Sequence, residues 1–176
     1  TLDDTQQVDA HRRVAAAIEE AYPGDPDQAA ALAGHWAAIG DRRHERHYAK
    51  LAGQHAAARF ANTEALSHLS RALNLIAPDD AGAERVERFD LLLAREQVYD
   101  LLGEREAQSR DLAILATLAE QLDDGGPRAA RRLGQVALRQ ANYAQAISNY
   151  PAAIAAAQRA IEHAGAAGDA ALGAGS

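Results

Sequence analysis

The stretch from Phe60 to Pro78 constrains this chain most, because its apolar positions, caps and stop signal all specify one two-faced helix. Ala65, Leu66, Leu69, Ala72, Leu73 and Ile76 recur at helical spacing as an apolar stripe, while Ser67, His68, Ser70, Arg71 and Asn74 fall on the other side. A helix divided in this way must dock on neighbours. Asn62 is expected to accept a backbone N–H as N-cap, Glu64 suits the positive end of the helix dipole, and Pro78 follows as a stop. Small residues at Ala65 and Ala72 let an adjacent helix approach closely.

Composition limits what can fill the space between such helices. The apolar fraction is 48%, but much of it is alanine and only 5% of the residues are aromatic, so the interior must close by near approach rather than by bulk. Alanine is also the best helix former, which favours an all-helical fold. At 176 residues the chain is long enough for one domain, which would bury roughly 70% of its unfolded surface. With no cysteine, disulfides and thiolate metal sites are excluded. The opening Thr1-Leu2-Asp3, in a chain without methionine, reads as a piece excised from something longer. No apolar run approaches the roughly 18 residues of a membrane span, and the start lacks a signal-peptide pattern, so a cytoplasmic protein with no membrane partner is expected. The net charge of −7 disfavours nucleic acid as a direct ligand. Its distribution is uneven: −2 over residues 1 to 78, −8 over 79 to 124 and +3 over 125 to 176.

Taken in order, the chain reads as eight helices. Gln6 to Tyr22 carries Val8, Val14, Ala15, Ile18 and Ala21 on one face and ends at Pro23-Gly24-Asp25-Pro26; Asp27 to Ile39 presents Leu32, Ala33 and Trp36 and ends at Gly40. Trp36, the only tryptophan, is expected to anchor the interior of that hairpin. Arg42 to Phe60, with Gly53 at a close contact, pairs with the stretch that follows it. After Pro78-Asp79-Asp80-Ala81-Gly82 come helices from Glu84 to Leu102, stopped by Gly103, and from Arg105 to Leu122. The break Asp123-Asp124-Gly125-Gly126-Pro127 precedes the last pair, Arg128 to Ile147 and Pro151 to Ala164. Residues 1 to 164 form the helical domain in this reading, and 165 to 176 a Gly/Ala-rich tail or the start of a further repeat.

The pattern Asn62-x-Glu64-Ala65-Leu66 followed by Arg71-Ala72-Leu73 resembles the second helix of a tetratricopeptide repeat. Partial matches are spread over nearly the whole chain: Gly53, Ala65 and Ala72 in one unit, Gly103 and Ala107 in the next, Ala141, Ala153 and Ala160 in the last. Aligning Ala65, Ala107 and Ala153 gives repeats of 42 and 46 residues, longer than the roughly 34 of a standard unit. Arg95 falls where the family usually has a small residue, and Ile114 replaces another, so the middle unit should pack less regularly. Leu51-Ala-Gly-Gln-His-Ala56, Leu91-Leu-Leu-Ala-Arg95 and Ile161 to Asp169 are similar to the helical arms of bacterial signalling ATPases, including LuxR-type regulators and ATPases fused to cyclases, with His11-Arg12-Arg13-Val14-Ala15 at the arm's start.

Few residues suggest chemistry. His44 and His47 lie three apart, and Asp41 and His55 would have to join them to hold zinc; a solvated basic helix face is the plainer reading. His35 beside Trp36 reads as a packing residue rather than a base. Gly125-Gly126-Pro127 lacks the lysine and strand of a phosphate loop, so no nucleotide or other cofactor is expected. Asp79-Asp80 and Asp123-Asp124 read as turn caps rather than acid and base, and Arg42-Arg43 and Arg131-Arg132 lack the interleaved aromatics of a nucleic-acid groove.

The resemblance implies an all-α superhelix whose first helices line a concave groove. Its exposed positions would include His47, Lys50 and Gln54, then Asp90, Leu93 and Gln97, then Gln135, Leu138 and Asn142. The expected function is non-enzymatic: a regulatory segment of a larger bacterial signalling or transcription-regulatory protein that takes a protein or peptide partner, or its own ATPase module, in the groove. The alternatives are a structural spacer or oligomerisation arm, which could act as a homodimer, and more distantly a histidine-based metal protein.

Overall fold

The computed structural model describes residues 3–77, 82–122 and 125–168. Its regular elements are all helical. In chain order they are α1 (Asp4–Ala21), a 3₁₀ turn (Pro26–Gln28), α2 (Ala29–Ile39), α3 (Arg42–Ala58), α4 (Asn62–Asn74), α5 (Ala83–Leu102), α6 (Arg105–Gln121), α7 (Pro127–Ala146) and α8 (Tyr150–Ala167). The last helix runs three residues past the expected Ala164 and closes on Gly168 in the left-handed conformation. Pro78, Asp79-Asp80, Asp123-Asp124 and the tail beyond Gly168 lie outside the described residues. No described helix is long and apolar enough to cross a membrane.

Four connections are built as the same turn. Gly40, Phe60, Gly103 and Ser148 take left-handed φ values of 80°, 59°, 72° and 59°. The next amide then donates back to the carbonyl five residues earlier: Asp41 to Trp36 (3.1 Å), Ala61 to Ala56 (2.9 Å), Glu104 to Tyr99 (2.9 Å) and Asn149 to Ala144 (2.8 Å). This closure satisfies carbonyls that a helix end leaves open, and the following helix starts at once.

The turn also supplies a register. Counted from Phe60, Gly103 and Ser148, which are 43 and 45 residues apart, the residues equivalent to Gly53, Ala65 and Ala72 are Glu96, Gln108 and Leu115, then Ala141, Ala153 and Ala160. The sequence alignment through Arg95, Ala107 and Ile114 was therefore one residue out. Glu96, Gln108 and Leu115 are the completely buried side chains, while Ile114 is exposed. The N-cap of α4 also moves. Ala61 is tied into the turn, so Asn62 becomes the first helical residue, makes no capping bond, and leaves its Oδ1 buried without a partner.

The chain forms two compact units, Thr1–Glu84 and Arg85–Ser176. In the first, α3 and α4 pack antiparallel, Gly53 lying against Leu69 and Glu45 pairing with Arg71. Ala65, Leu69, Ala72, Leu73 and Ile76 are buried as the stripe requires. By contrast α1 buries only Ala15 fully, and Val14 is 43% exposed, so this helix has less apolar burial than α4. In the second unit α7 and α8 come closest, through Ala137, Ala141 and Ala144 on one side and Ala156, Ala160 and Ala164 on the other. The backbones of α5 and α6 stay further apart, as Glu96, Gln108 and Asp111 require.

Candidate functional site

In the first unit two of the polar contacts that tie α1 to its neighbours converge on Glu19. Its Oε1 accepts both the Trp36 indole N–H (3.2 Å) and the Tyr48 hydroxyl (2.8 Å), bringing α1, α2 and α3 together. Burial, with the Glu19 charge beside it, pushes the Tyr48 hydroxyl up to about 12. Trp36 is half-buried rather than a fully enclosed anchor, and His44 stacks on it at 4.4 Å. The His44 ring is aimed by Asp41, 2.8 Å from Nδ1. Asp41 also caps α3, and the amide of His44, then its ring, hold the Asp41 carboxyl below its usual value.

Glu19, His47 and Tyr48 separate two clefts. One, of about 300 Å³, has a floor of Ala29, Leu32 and Leu51 and a rim of Tyr22, Asp25 and His47. The other is lined by Arg43 and His44 together with the three shared residues. Glu19 has no cationic partner among the described residues, because both of its hydrogen bonds come from neutral donors. Further along α1, His11 and His35 meet Nδ1 to Nδ1 at 2.9 Å. One Nδ1 must donate and the other accept, which fixes opposite roles for the two rings at this contact.

The second unit carries a buried charge network. Glu96 is completely enclosed and accepts Arg139 through both oxygens (2.6 and 3.1 Å) and Gln108 at 2.7 Å. Arg139 also reaches Asp100 (2.8 Å), which takes a second bond from Arg105 (2.6 Å). Burial alone would raise the Asp100 carboxyl, but the bonds from Arg105 and Arg139 outweigh it and hold the group below its ordinary value. Separately, Arg95 makes a forked pair with Asp111 at 2.8 and 2.7 Å, with Tyr99 beneath the guanidinium. This joins α5 to α6, while Arg139 joins α7 to α5.

All nine expected groove residues are reached by solvent. His47 and Gln54 are exposed and Lys50 half-buried on α3; Asp90 and Gln97 are exposed and Leu93 half-buried on α5; Asn142 is exposed and Gln135 and Leu138 half-buried on α7. Of these, His47 lines a cleft beside Glu19. The four residues considered for zinc are divided among different partners: His44 pairs with Asp41, His47 packs edge-on to Tyr48, and His55 lies 3.6 Å from Asp27. Among the described residues no three His, Cys, Asp or Glu side chains gather around a metal position. In the basic patch Arg42 reaches the Leu75 carbonyl, and nearby Arg46 pairs with Glu84.

Sequence reasoning missed Glu19, His11 paired with His35, and the Glu96 network. Glu19 sits one residue from Ile18 on an apolar face, and a carboxylate in that position was the available signal. Comparisons with protein-family models, with curated proteins and with solved structures find no match.

Proposed function

We propose that the chain is a non-enzymatic protein-interaction segment made of tetratricopeptide-like helix hairpins, serving as a regulatory arm of a larger bacterial signalling or transcription-regulatory protein. The observation that carries this reading is the shared turn at Phe60, Gly103 and Ser148, with Gly53, Ala65 and Ala72 matched by Ala141, Ala153 and Ala160. Repeats of this kind stack side by side, and their extended surface is what they use to bind. Under this reading the hairpins form a superhelix, and α3, α5 and α7 present the groove to a partner peptide, a partner helix or the protein's own ATPase module. Photo-crosslinking side chains placed at Gln54, Gln97 and Asn142 should then capture protein from a bacterial lysate. The same groups at exposed Ser67, Glu106 and Gln158, on the second helices, should not. Equal capture from both sets would sink the groove.

A spacer or self-association arm is the second reading, favoured by α8. Tyr150, Ile154 and Ile161 are 62%, 61% and 49% exposed and form a stripe beside the buried Ala156 and Ala160. Sedimentation of the chain and of an Ile154→Glu, Ile161→Glu variant tests it. A concentration-dependent dimer lost in the variant, together with unselective crosslinking, would favour this reading.

A further inference from the structure

We propose that the 300 Å³ cleft beside Glu19 is a binding site for an organic ammonium group. Three observations lead there, none of which depends on the chain being an interaction segment.

First, Glu19 is a half-buried carboxylate that makes no ion pair with any described residue, Arg43 lining only the neighbouring cleft. Two neutral donors, Trp36 and Tyr48, share its Oε1, and the second oxygen takes no hydrogen bond from the described residues. Partial burial of an uncompensated charge is unfavourable, and a cationic ligand would relieve it. Secondly, the carboxylate is already oriented. Because donors from α2 and α3 fix it from two directions, a ligand meets it with little ordering left to do.

Thirdly, the rest of the cleft has matching chemistry. The Asp25 carboxylate uses one oxygen to cap the 3₁₀ turn and takes no other bond from the described residues, so it offers a second acceptor. Tyr22, 53% exposed, and Tyr48 supply aromatic surface of the kind that attracts ammonium groups. Among the described residues no lysine or arginine lines this cleft, and its floor of Ala29, Leu32 and Leu51 suits the alkyl stem of such a ligand. The volume lies at the small end of the range for small-molecule sites, ~300–1,000 Å³. Both a lysine side chain of a peptide and a free alkyl diamine carry this group.

The test uses the intact chain and two probes, cadaverine and lysine capped at both ends, with the acetylated, uncharged form of each as control. Trp36 is the only tryptophan and donates to Glu19, so its indole N–H resonance and its fluorescence report on the site directly. At least one charged probe should shift the Trp36 signals saturably with a Kd below about 1 mM, while neither uncharged form does. Capped lysine alone identifies a peptide side chain, and cadaverine alone a free amine. Glu19→Gln keeps an acceptor for Trp36 and Tyr48 and should weaken binding at least about tenfold; Asp25→Asn, which can still cap, should weaken it severalfold. If neither charged probe gives a saturable shift, or the uncharged forms bind equally well, the assignment is wrong. The uncharged controls on the unaltered protein decide the matter even if Glu19→Gln disturbs the fold.

Discussion

Glu96 and Gln108 share a 2.7 Å hydrogen bond with both side chains completely buried, at the positions that Gly53 and Ala65 hold in the first unit and Ala141 and Ala153 in the last hairpin. Two small residues permit close packing at the flanking hairpins. Here a carboxylate and an amide occupy the same register, so α5 and α6 stand apart and α7 must contribute Arg139 to neutralise the charge. The middle hairpin thereby depends on α7 in a way the α3–α4 pair does not.

Arg139→Met should show that dependence. It removes both bonds to Glu96 and one to Asp100, leaving a buried carboxylate supported by Gln108 alone. Stripping one partner from a buried pair costs about 3–5 kcal/mol. Denaturant titration should show a loss of that order, with amide exchange in α5 and α7 accelerating together. Arg139→Lys should rescue little, because an ammonium cannot reproduce the fork. A loss below about 1 kcal/mol would mean that the network is solvated and adds no more than an exposed pair.

The same network sets an acid limit on stability. Asp100 is held below its ordinary value, the bonds from Arg105 and Arg139 outweighing burial. Its contribution is therefore complete above the unfolded aspartate value of about 3.9 and is lost as pH falls through the lower folded value. Asp100→Asn should be less stable than the parent at neutral pH, and the two melting curves should converge below about pH 4. A constant gap from pH 7 to pH 3 would show that the charge of Asp100 contributes nothing.

Gly53 and Gly34 should respond to alanine with opposite signs. A Cβ at Gly53 would lie 2.8 Å from Leu69 Cγ and 3.1 Å from the Leu69 backbone nitrogen; the side chain can turn away, but the backbone of α4 must move. Overpacking of this kind costs about 1–3 kcal/mol, more than the helix propensity alanine would restore. Nothing lies within 4 Å of a Cβ at Gly34, so Gly34→Ala should stabilise α2 by up to about 1 kcal/mol. Thermal melts of the two variants should move in opposite directions from the parent; shifts of the same sign would refute the packing assigned to Gly53.

The fold was legible wherever one residue carried one signal. Gly40 and Gly103 marked helix ends, the stripe from Ala65 to Ile76 marked a buried face, and the eight helices followed. The register of the middle hairpin was not legible, because the apparent match lay in Ala107, next to a buried Gln108 that no apolar periodicity would select. The site was harder still. The role of Glu19 depends on Trp36 and Tyr48 arriving from two other helices, and separations of 17 and 29 residues leave no local pattern. His11 and His35 were legible in sequence only separately, one in a junction motif and one as a packing residue, and nothing local shows that their rings meet.

Two of the four shared turns use a residue that bears a cost there. Gly40 and Gly103 adopt the left-handed conformation freely, but Phe60 and Ser148 occupy it with a Cβ, at a penalty of about 1–2 kcal/mol each. Ser148 is exposed, and its amide already donates to the Gln145 carbonyl within the turn, a bond that glycine would keep. Ser148→Gly should therefore stabilise the α7–α8 hairpin, reduced by the greater freedom of glycine in the unfolded chain to a net gain of about 0.5–1 kcal/mol. The converse change, Gly103→Ala, introduces the same strain into the α5–α6 turn and should cost about 1 kcal/mol, although nothing lies within 4 Å of the added Cβ. Melting temperatures of the two variants measure both. If Gly103→Ala is neutral and Ser148→Gly destabilises, the left-handed geometry is not what limits these turns, and their shared form would follow from the packing of the helices they connect.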